Sequence, residues 1–152
     1  MEKESKYLAV DYGEKRIGIA VSDENKKYSF SREHLQNDRN LFSNLLELIK
    51  EENIIKIIIG YPLNFKSEKT IQTIKTEEFR NNLEKFLEKY SVKAELIYFD
   101  ERFTSKLAAG SIINSGLTKK KRQEKGRVDS ISAQIILQDY IDKTNNLNNI
   151  YS

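Results

Sequence analysis

The sequence predicts an α/β fold in which a mixed five-stranded sheet is flanked by helices, in the order βββαβαβαα. Three observations lead to this prediction. Apolar residues near the N-terminus alternate with a period of two, as in strands, whereas later segments repeat at helical spacing. A run of isoleucines between the helical segments is typical of a strand buried on both faces. The length of 152 residues fits one domain, predicted over residues 1–144, with a disordered tail at 145–152.

The first three strands are predicted to form an antiparallel meander. Residues 7–11 and 16–22 flank a short turn, which is typical of a β-hairpin. A turn at 23–25 then leads to a third strand at about 27–31. One face of the second strand is bulky and the other is small, so a ligand, another backbone or a packed helix can approach the small face closely. The bulky residues are Ile17, Ile19 and Val21, and the small ones are Gly18, Ala20 and Ser22.

The middle of the chain supplies helices and the remaining strands. Apolar residues at helical spacing predict a helix over about 38–52, with Asp38 as its N-cap. Residues 54–59 form the isoleucine strand, which ends at Gly60, and the loop beyond it is interpreted as a strand break. A second amphipathic helix contains Phe79 and the apolar residues that follow it at helical spacing. The fifth strand is predicted at 93–99.

Two further helices are predicted in the C-terminal part. The first covers about 104–114 and is closed by Gly116. Residues 117–126 are polar, basic and expected to be mobile. The last helix covers about 127–142 and is apolar on more than half of its circumference, which indicates burial. This order of elements is the one that the ribonuclease H-like fold uses.

Composition excludes several kinds of chemistry. The chain has no cysteine, which excludes disulfides, thiolate catalysis, zinc–thiolate sites and iron–sulfur clusters. A single histidine makes a histidine-based triad or a multi-histidine metal site improbable. Hydrolytic chemistry must therefore use carboxylates, hydroxyls or lysines. No signal peptide or membrane span is evident, so a cytoplasmic protein with no membrane partner is expected.

Three acidic residues lie at the ends of predicted elements, where α/β sheets bind ligands. Asp11 ends the first strand, Glu101 follows the last strand, and Asp129 lies in the first turn of the last helix. If the first and last strands are neighbours and this helix covers them, the three carboxylates converge and require a divalent cation to offset their repulsion. Mg²⁺ or Mn²⁺ fits such oxygen ligands, and a pair of ions would activate water for phosphodiester cleavage.

Each acid also has a simpler interpretation. Taken alone, Asp11 before Tyr12 and Gly13 fits a turn residue better than a ligand, and Asp129 fits a helix cap as well as a ligand. Glu101 beside Arg102 is compatible with a surface ion pair of little energetic consequence. Their joint placement at element ends is what favours a functional site.

A basic segment precedes the last helix and suggests a nucleic-acid partner. Between residues 115 and 127 there are six basic residues and one acidic residue, although the net charge of the whole chain is only +3. A solvated loop or a localisation signal is the alternative. Because the segment leads directly to Asp129, it would bring phosphates to the acids. The residues predicted to contact nucleic acid are Lys15, Arg16, Asn64, Arg102, Thr104, Lys119, Lys120, Lys121, Arg122 and Lys125. For Lys15 and Arg16 an outward-facing turn is the alternative, and for Thr104 a helix cap.

Four motifs together resemble one family. LAVDYGEKRIGIAVSD, IIIGYPLNFKSEKT, YFDERFTSK and KGRVDSISAQIILQDYI are similar, in this order and at these intervals, to the YqgF/RuvX family of ribonuclease H-like nucleases. The resemblance covers about residues 7–141. It implies a fold shared with Holliday junction resolvases and an endonuclease that matures the 5′ end of pre-16S rRNA. It also implies that the three acids of the family are Asp11, Glu101 and Asp129.

The resemblance extends to the loop and the basic segment. The loop motif of the family matches Gly60, Pro62, Leu63 and Asn64, and its basic motif matches Lys125. The chain departs from the family pattern after Asn64, because residues 65–69 contain no glycine.

The leading hypothesis is a Mg²⁺- or Mn²⁺-dependent endonuclease with two ions that acts on structured RNA such as pre-16S rRNA, either free or in ribosomal precursor particles. One alternative is a junction resolvase acting on four-way DNA, which would usually be a homodimer rather than a monomer. Another is a non-catalytic RNA-binding module in ribosome assembly or transcription.

Overall fold

The structure, a computed structural model, describes residues 4–101 and 125–151; in the last helix it describes the side chains of residues 130–146 only. Five strands form one sheet in the order β3-β2-β1-β4-β5. The strands are β1 Lys6–Asp11, β2 Arg16–Ser22, β3 Ser29–Gln36, β4 Ile54–Tyr61 and β5 Glu95–Asp100, and the described helices are α1 Leu41–Glu51, α2 Ile71–Lys89 and α3 Lys125–Tyr151.

The pairing confirms the predicted mixed sheet. Strand β1 pairs antiparallel with β2 and parallel with β4, while β2 and β3 are antiparallel and β4 and β5 are parallel. The condition that the first and last strands be neighbours is wrong, because β4 lies between β1 and β5. Any convergence of Asp11 and Glu101 must therefore take place across β4.

The structure corrects several predicted boundaries. Strand β3 runs over Ser29–Gln36 instead of 27–31, because this half-exposed edge strand has a polar sequence that hides its period. The N-cap of α1 is Asn40 and not Asp38; the Asp38 carboxylate instead accepts a hydrogen bond from the Asn40 N–H at 2.9 Å. Helix α3 extends to Tyr151, through the asparagine-rich residues for which a disordered tail was expected. The predicted helix at 104–114 lies outside the described residues.

The two faces of the sheet are packed differently. On one face, α1 and α2 cover bulky residues of β1, β2 and β4, and the two helices contribute leucines, isoleucines and Phe79. On the other face, α3 packs on Ala9 of β1, Ala20 of β2 and Ile58 of β4. The residues that α3 contributes include Ala133 and Ile136. Of the three alternatives for the small face of β2, a packed helix is the one that the structure shows. No helix in the described part of the chain has the length and apolarity to cross a membrane.

Candidate active site

The α3 face of the sheet carries the first two predicted acids. Ala9 and Ile58 pack against α3. Side chains two residues apart on a strand point to the same face, so Asp11 of β1 and Gly60 of β4 also lie on that face. Glu101 lies just beyond the last residue of β5, and its side chain lies on the same face, beside Gly60.

Gly60 provides the space in which the Glu101 carboxylate lies. A Cβ atom built on Gly60 would overlap Glu101 Oε1, and it would lie 3.0 Å from Glu101 Cδ and 2.9 Å from Ile136 Cδ1 of α3. The φ angle of Gly60 is not positive, so this glycine is needed for close approach and not for an unusual backbone conformation. Interpreting Gly60 as a strand break missed this role, although a glycine in a buried strand is itself a signal of close approach.

The strand register places Asp11 and Glu101 on opposite sides of Gly60. Val10 of β1 pairs with Ile59 of β4, so the next pair along the two parallel strands is Asp11 beside Gly60. On the other side Gly60 pairs with Phe99, and Tyr61 with Asp100. The two carboxylates thus belong to strands on either side of one glycine at the carboxyl end of the parallel strands.

The third predicted acid, Asp129, lies in the first part of α3, and its side chain is outside the described ones. Tyr140 of α3 contacts Lys56 at the start of β4, with Lys56 Nζ 3.1 Å from the tyrosine hydroxyl. Ile136 lies near Gly60 at the end of that strand. The N-terminal part of α3 therefore lies toward the end of the sheet where Asp11 and Glu101 are found. Among the side chains that the structure describes, no three His, Asp or Glu residues form a group that could hold a metal ion.

The β1–β2 turn places the predicted phosphate contacts at the same edge. Lys15 is exposed in the turn, and Arg16 begins β2. A Cβ on Gly13 would lie 2.6 Å from the Arg16 carbonyl oxygen, so only glycine fits this tight turn. The Lys15 carbonyl accepts a hydrogen bond from the Asn37 N–H at 3.0 Å. The turn is therefore anchored, while the Lys15 side chain faces solvent.

The loop after β4 is organised by Asn64. Its side-chain oxygen accepts hydrogen bonds from the N–H groups of Lys66 and Glu68, both at 2.9 Å. Ser67 adopts a left-handed conformation with φ 65°, the conformation that favours glycine. A serine thus adopts in this loop a backbone conformation that glycine adopts more readily. At the tip, the Phe65 side chain is 84% exposed.

An ion pair and an aromatic contact connect this loop to the neighbouring elements. Glu77 of α2 accepts from Lys69 Nζ at 2.9 Å and from the Tyr61 hydroxyl at 3.2 Å. The hydrogen bond from Lys69 holds the pKa of Glu77 below its usual range. The Tyr61 ring packs on Tyr98 with centroids 4.6 Å apart, and burial raises the pKa of Tyr98. The loop is thereby fixed to both β5 and α2.

Several predicted contact residues fall elsewhere. Arg102, Thr104 and residues 119–122 lie outside the described residues, and Lys125 is described only as the first backbone position of α3. Their contacts with nucleic acid stay predictions.

Comparison with known proteins gives consistent results. A family model described as "RuvX: Holliday junction resolvase" matches residues 5–143. A relative from Sulfurihydrogenibium sp. (strain YO3AOP1), named "Putative pre-16S rRNA nuclease", is 40% identical over 139 residues, which are 91% of each chain. A relative of the same name from Bacteroides fragilis is 39% identical over 138 residues, 91% of this chain and 96% of that one.

Solved structures of RuvC are similar in fold. Thermus thermophilus RuvC in complex with a Holliday junction substrate has a TM-score of 0.55 at 9% identity, and the match covers 90% of this chain and 93% of that one. A second structure of Thermus thermophilus RuvC has a TM-score of 0.52 at 7% identity, covering 93% and 96%. The likeness confirms the predicted ribonuclease H-like fold.

Proposed function

Because this chain belongs to the RuvX family, we propose that it is a divalent-metal-dependent endonuclease that processes the 5′ end of pre-16S rRNA. The nuclease activity and the rRNA substrate are supported by the names of its relatives. The position of the active site and its need for metal are inferred from the chain's own residues.

The proposal rests on the Glu101 carboxylate, which occupies the space where a side chain at Gly60 would lie, with Asp11 on the neighbouring strand β1. Both carboxylates are partly exposed, and carboxylates that lie near one another on one face of a sheet repel, so a cation bound between them would be stabilising. A glycine that makes room for one of them indicates that the arrangement is built into the fold.

The donor set fits a hard divalent cation. Asp11 and Glu101 would hold the ion or ions with Asp129, and all three offer only oxygen atoms, which Mg²⁺ and Mn²⁺ prefer. When bound, such ions supply an activated water and neutralise charge on the phosphate. We assign to Asp129 a role in orienting that water. Lys15 and Arg16 would bind the phosphates beside the scissile one.

The rim of the site suits an unpaired stretch of RNA. Phe65, at the tip of the loop after β4, is 84% exposed, and Ile71 and Ile74 of α2 are 73% and 50% exposed. We infer that these exposed apolar side chains contribute to an interaction site. Aromatic rings flanked by lysines, here Lys66, stack on unpaired bases. The basic segment that contains residues 119–122 and Lys125 would add affinity for phosphates.

The direct test is cleavage of a 5′-extended pre-16S transcript by purified protein with Mg²⁺ or Mn²⁺. Glu101→Gln and Asp11→Asn should each lower the cleavage rate at least about a hundredfold. The matched control is Glu95→Gln, since Glu95 begins the same strand β5 at its other end, and this variant should cleave normally. Full activity in Glu101→Gln, or equal loss in the control, would refute the assigned site.

A second candidate is resolution of four-way DNA, which the description of the family model favours. Symmetric incision of a synthetic junction, measured beside RNA cleavage in one preparation, separates the two substrates. A chain that binds RNA but cleaves neither substrate would instead support a non-catalytic binding module.

A further inference from the structure

The first turn of α2 holds the chain immediately after Asp11. Gln72 Nε2 donates a hydrogen bond to the Tyr12 carbonyl oxygen at 2.8 Å, and the Lys75 ammonium pairs with Glu14. The Tyr12 residue follows Asp11 directly. Gln72 thereby fixes the peptide group that sets the direction of the chain as it leaves the strand.

Asn37, which follows β3, holds the same turn from another element. Its side-chain amide donates to the Gly13 carbonyl at 2.9 Å and to the Tyr12 hydroxyl at 3.2 Å. The Tyr12 ring also packs on Phe79 of α2, with centroids 4.9 Å apart. The turn is thus bonded to two elements that carry none of the three acids.

The same turn of α2 also anchors the chain that leaves β4. The hydroxyl of Thr73, a fully buried side chain, donates to the Pro62 carbonyl. Thr70 and Thr73 form a capping box at the start of α2, with the Thr70 N–H donating to Thr73 Oγ1 at 2.9 Å. One helical turn therefore binds the segments that follow both Asp11 and Gly60.

We propose that Gln72 is a positioning residue for Asp11, acting through the Tyr12 peptide group; this inference rests on the proposed nuclease site. Metal-binding carboxylates need to be held to within a fraction of an ångström, and groups that orient such ligands often change metal affinity when they are removed. Gln72 meets this need because its hydrogen bond acts one residue away from Asp11.

The test compares Gln72→Met with Gln134→Met. Each substitution removes one amide donor and keeps a long apolar side chain. Gln134 Nε2 donates to the Ser29 carbonyl at 3.2 Å, at the end of the sheet away from Asp11. Three quantities are measured on the full chain: the melting temperature, amide hydrogen exchange of residues 12–16, and Mn²⁺ affinity by titration calorimetry.

In Gln72→Met, exchange of residues 12–16 should become about fivefold faster, in line with the loss of one hydrogen bond. The Mn²⁺ affinity should fall about tenfold. Gln134→Met should leave both quantities unchanged, and the melting temperatures of the two variants should be similar. Unchanged exchange or unchanged Mn²⁺ affinity in Gln72→Met would overturn the positioning role, as would an equal loss of Mn²⁺ affinity in Gln134→Met. If the unmodified chain binds no Mn²⁺, the proposed nuclease site itself fails, which is a distinguishable result.

Discussion

The two faces of the sheet differ in the size of their side chains, and we expect them to differ in their roles. The face under α1 and α2 is filled with large side chains, and residues such as Leu45 and Leu83 are fully buried there. The face under α3 contains Ala9, Ala20 and Gly60 beside Ile58. The small residues bring α3 close, and Gly60 leaves room for the Glu101 carboxylate. Stability is therefore expected to depend chiefly on the first face, and chemistry on the carboxyl end of the second.

The largest expected effect is on stability, at the bulky face. Leu83→Ala removes a fully buried side chain from the centre of α2 and should lower the free energy of unfolding by about 3 kcal/mol. Urea denaturation measures this loss. Cleavage per folded molecule should remain normal, and a selective loss of cleavage would contradict the division between the faces.

Gly60→Ala should have the opposite effect, lowering cleavage while the chain stays folded. The added methyl group would displace the Glu101 carboxylate or push against Ile136, so cleavage should fall about a hundredfold, equivalent to about 2.7 kcal/mol. The chain should remain folded at 25 °C by circular dichroism. Normal cleavage by the folded variant would mean that the position of Glu101 is not critical.

The rim of the site is tested by Phe65→Ala. Loss of a stacking surface should raise KM for RNA about tenfold, close to 1.4 kcal/mol, without changing the free energy of unfolding. Tyr28→Ala is the matched control, because Tyr28 is also an exposed aromatic residue, 62% accessible, beside the start of β3. An equal rise in KM for both variants would point to nonspecific contact.

The smallest expected effect is at Glu52, which follows α1 and forms ion pairs with residues of β1 and β3. Its carboxylate pairs with Lys6 at 2.7 Å and Arg32 at 2.9 Å, and chiefly the hydrogen bond from Lys6 lowers the pKa of Glu52. Because this pKa is lowered on folding, the stabilisation is present above the ordinary glutamate pKa and disappears as the pH falls through the folded value. Glu52→Gln should therefore lower the free energy of unfolding by about 1 kcal/mol at pH 7.

The difference in free energy of unfolding between Glu52→Gln and the unmodified chain should shrink as the pH falls below about 4. Denaturation of Glu52→Gln and of Glu47→Gln at pH 7 and pH 3 tests the prediction; Glu47 is an exposed control on α1, the helix that ends one residue before Glu52. A difference between Glu52→Gln and the unmodified chain that is as large at pH 3 as at pH 7 would exclude the carboxylate as its source.

Strong periodic patterns made most of the fold predictable. The hairpin and the isoleucine strand were identified because their apolar residues have period two or are nearly continuous. The sequence predicts β3 too early and too short, since an edge strand such as SFSREHLQ has little buried surface to impose a pattern. The N-cap was assigned to Asp38 rather than Asn40 because both residue types cap helices and only the backbone conformation distinguishes them.

The site was predictable in part. The acids at strand ends could be selected from the sequence, since ligands bind at these ends in α/β sheets. The insertion of β4 between β1 and β5 could not be foreseen, because strand order depends on contacts distant in sequence. The role of Gly60 follows only from that order, and so does the position of Gln72, which is 60 residues from its partner Tyr12.

We expect Asp11 and Glu101 to share a divalent ion across Gly60. The most direct measurement is a crystal structure of the protein soaked in Mn²⁺, with the ion located by its anomalous scattering. The proposed site predicts at least one Mn²⁺ coordinated by oxygens of both carboxylates, at distances of about 2.0–2.2 Å. Carboxylates that share no ion, or Mn²⁺ bound only elsewhere, would contradict it.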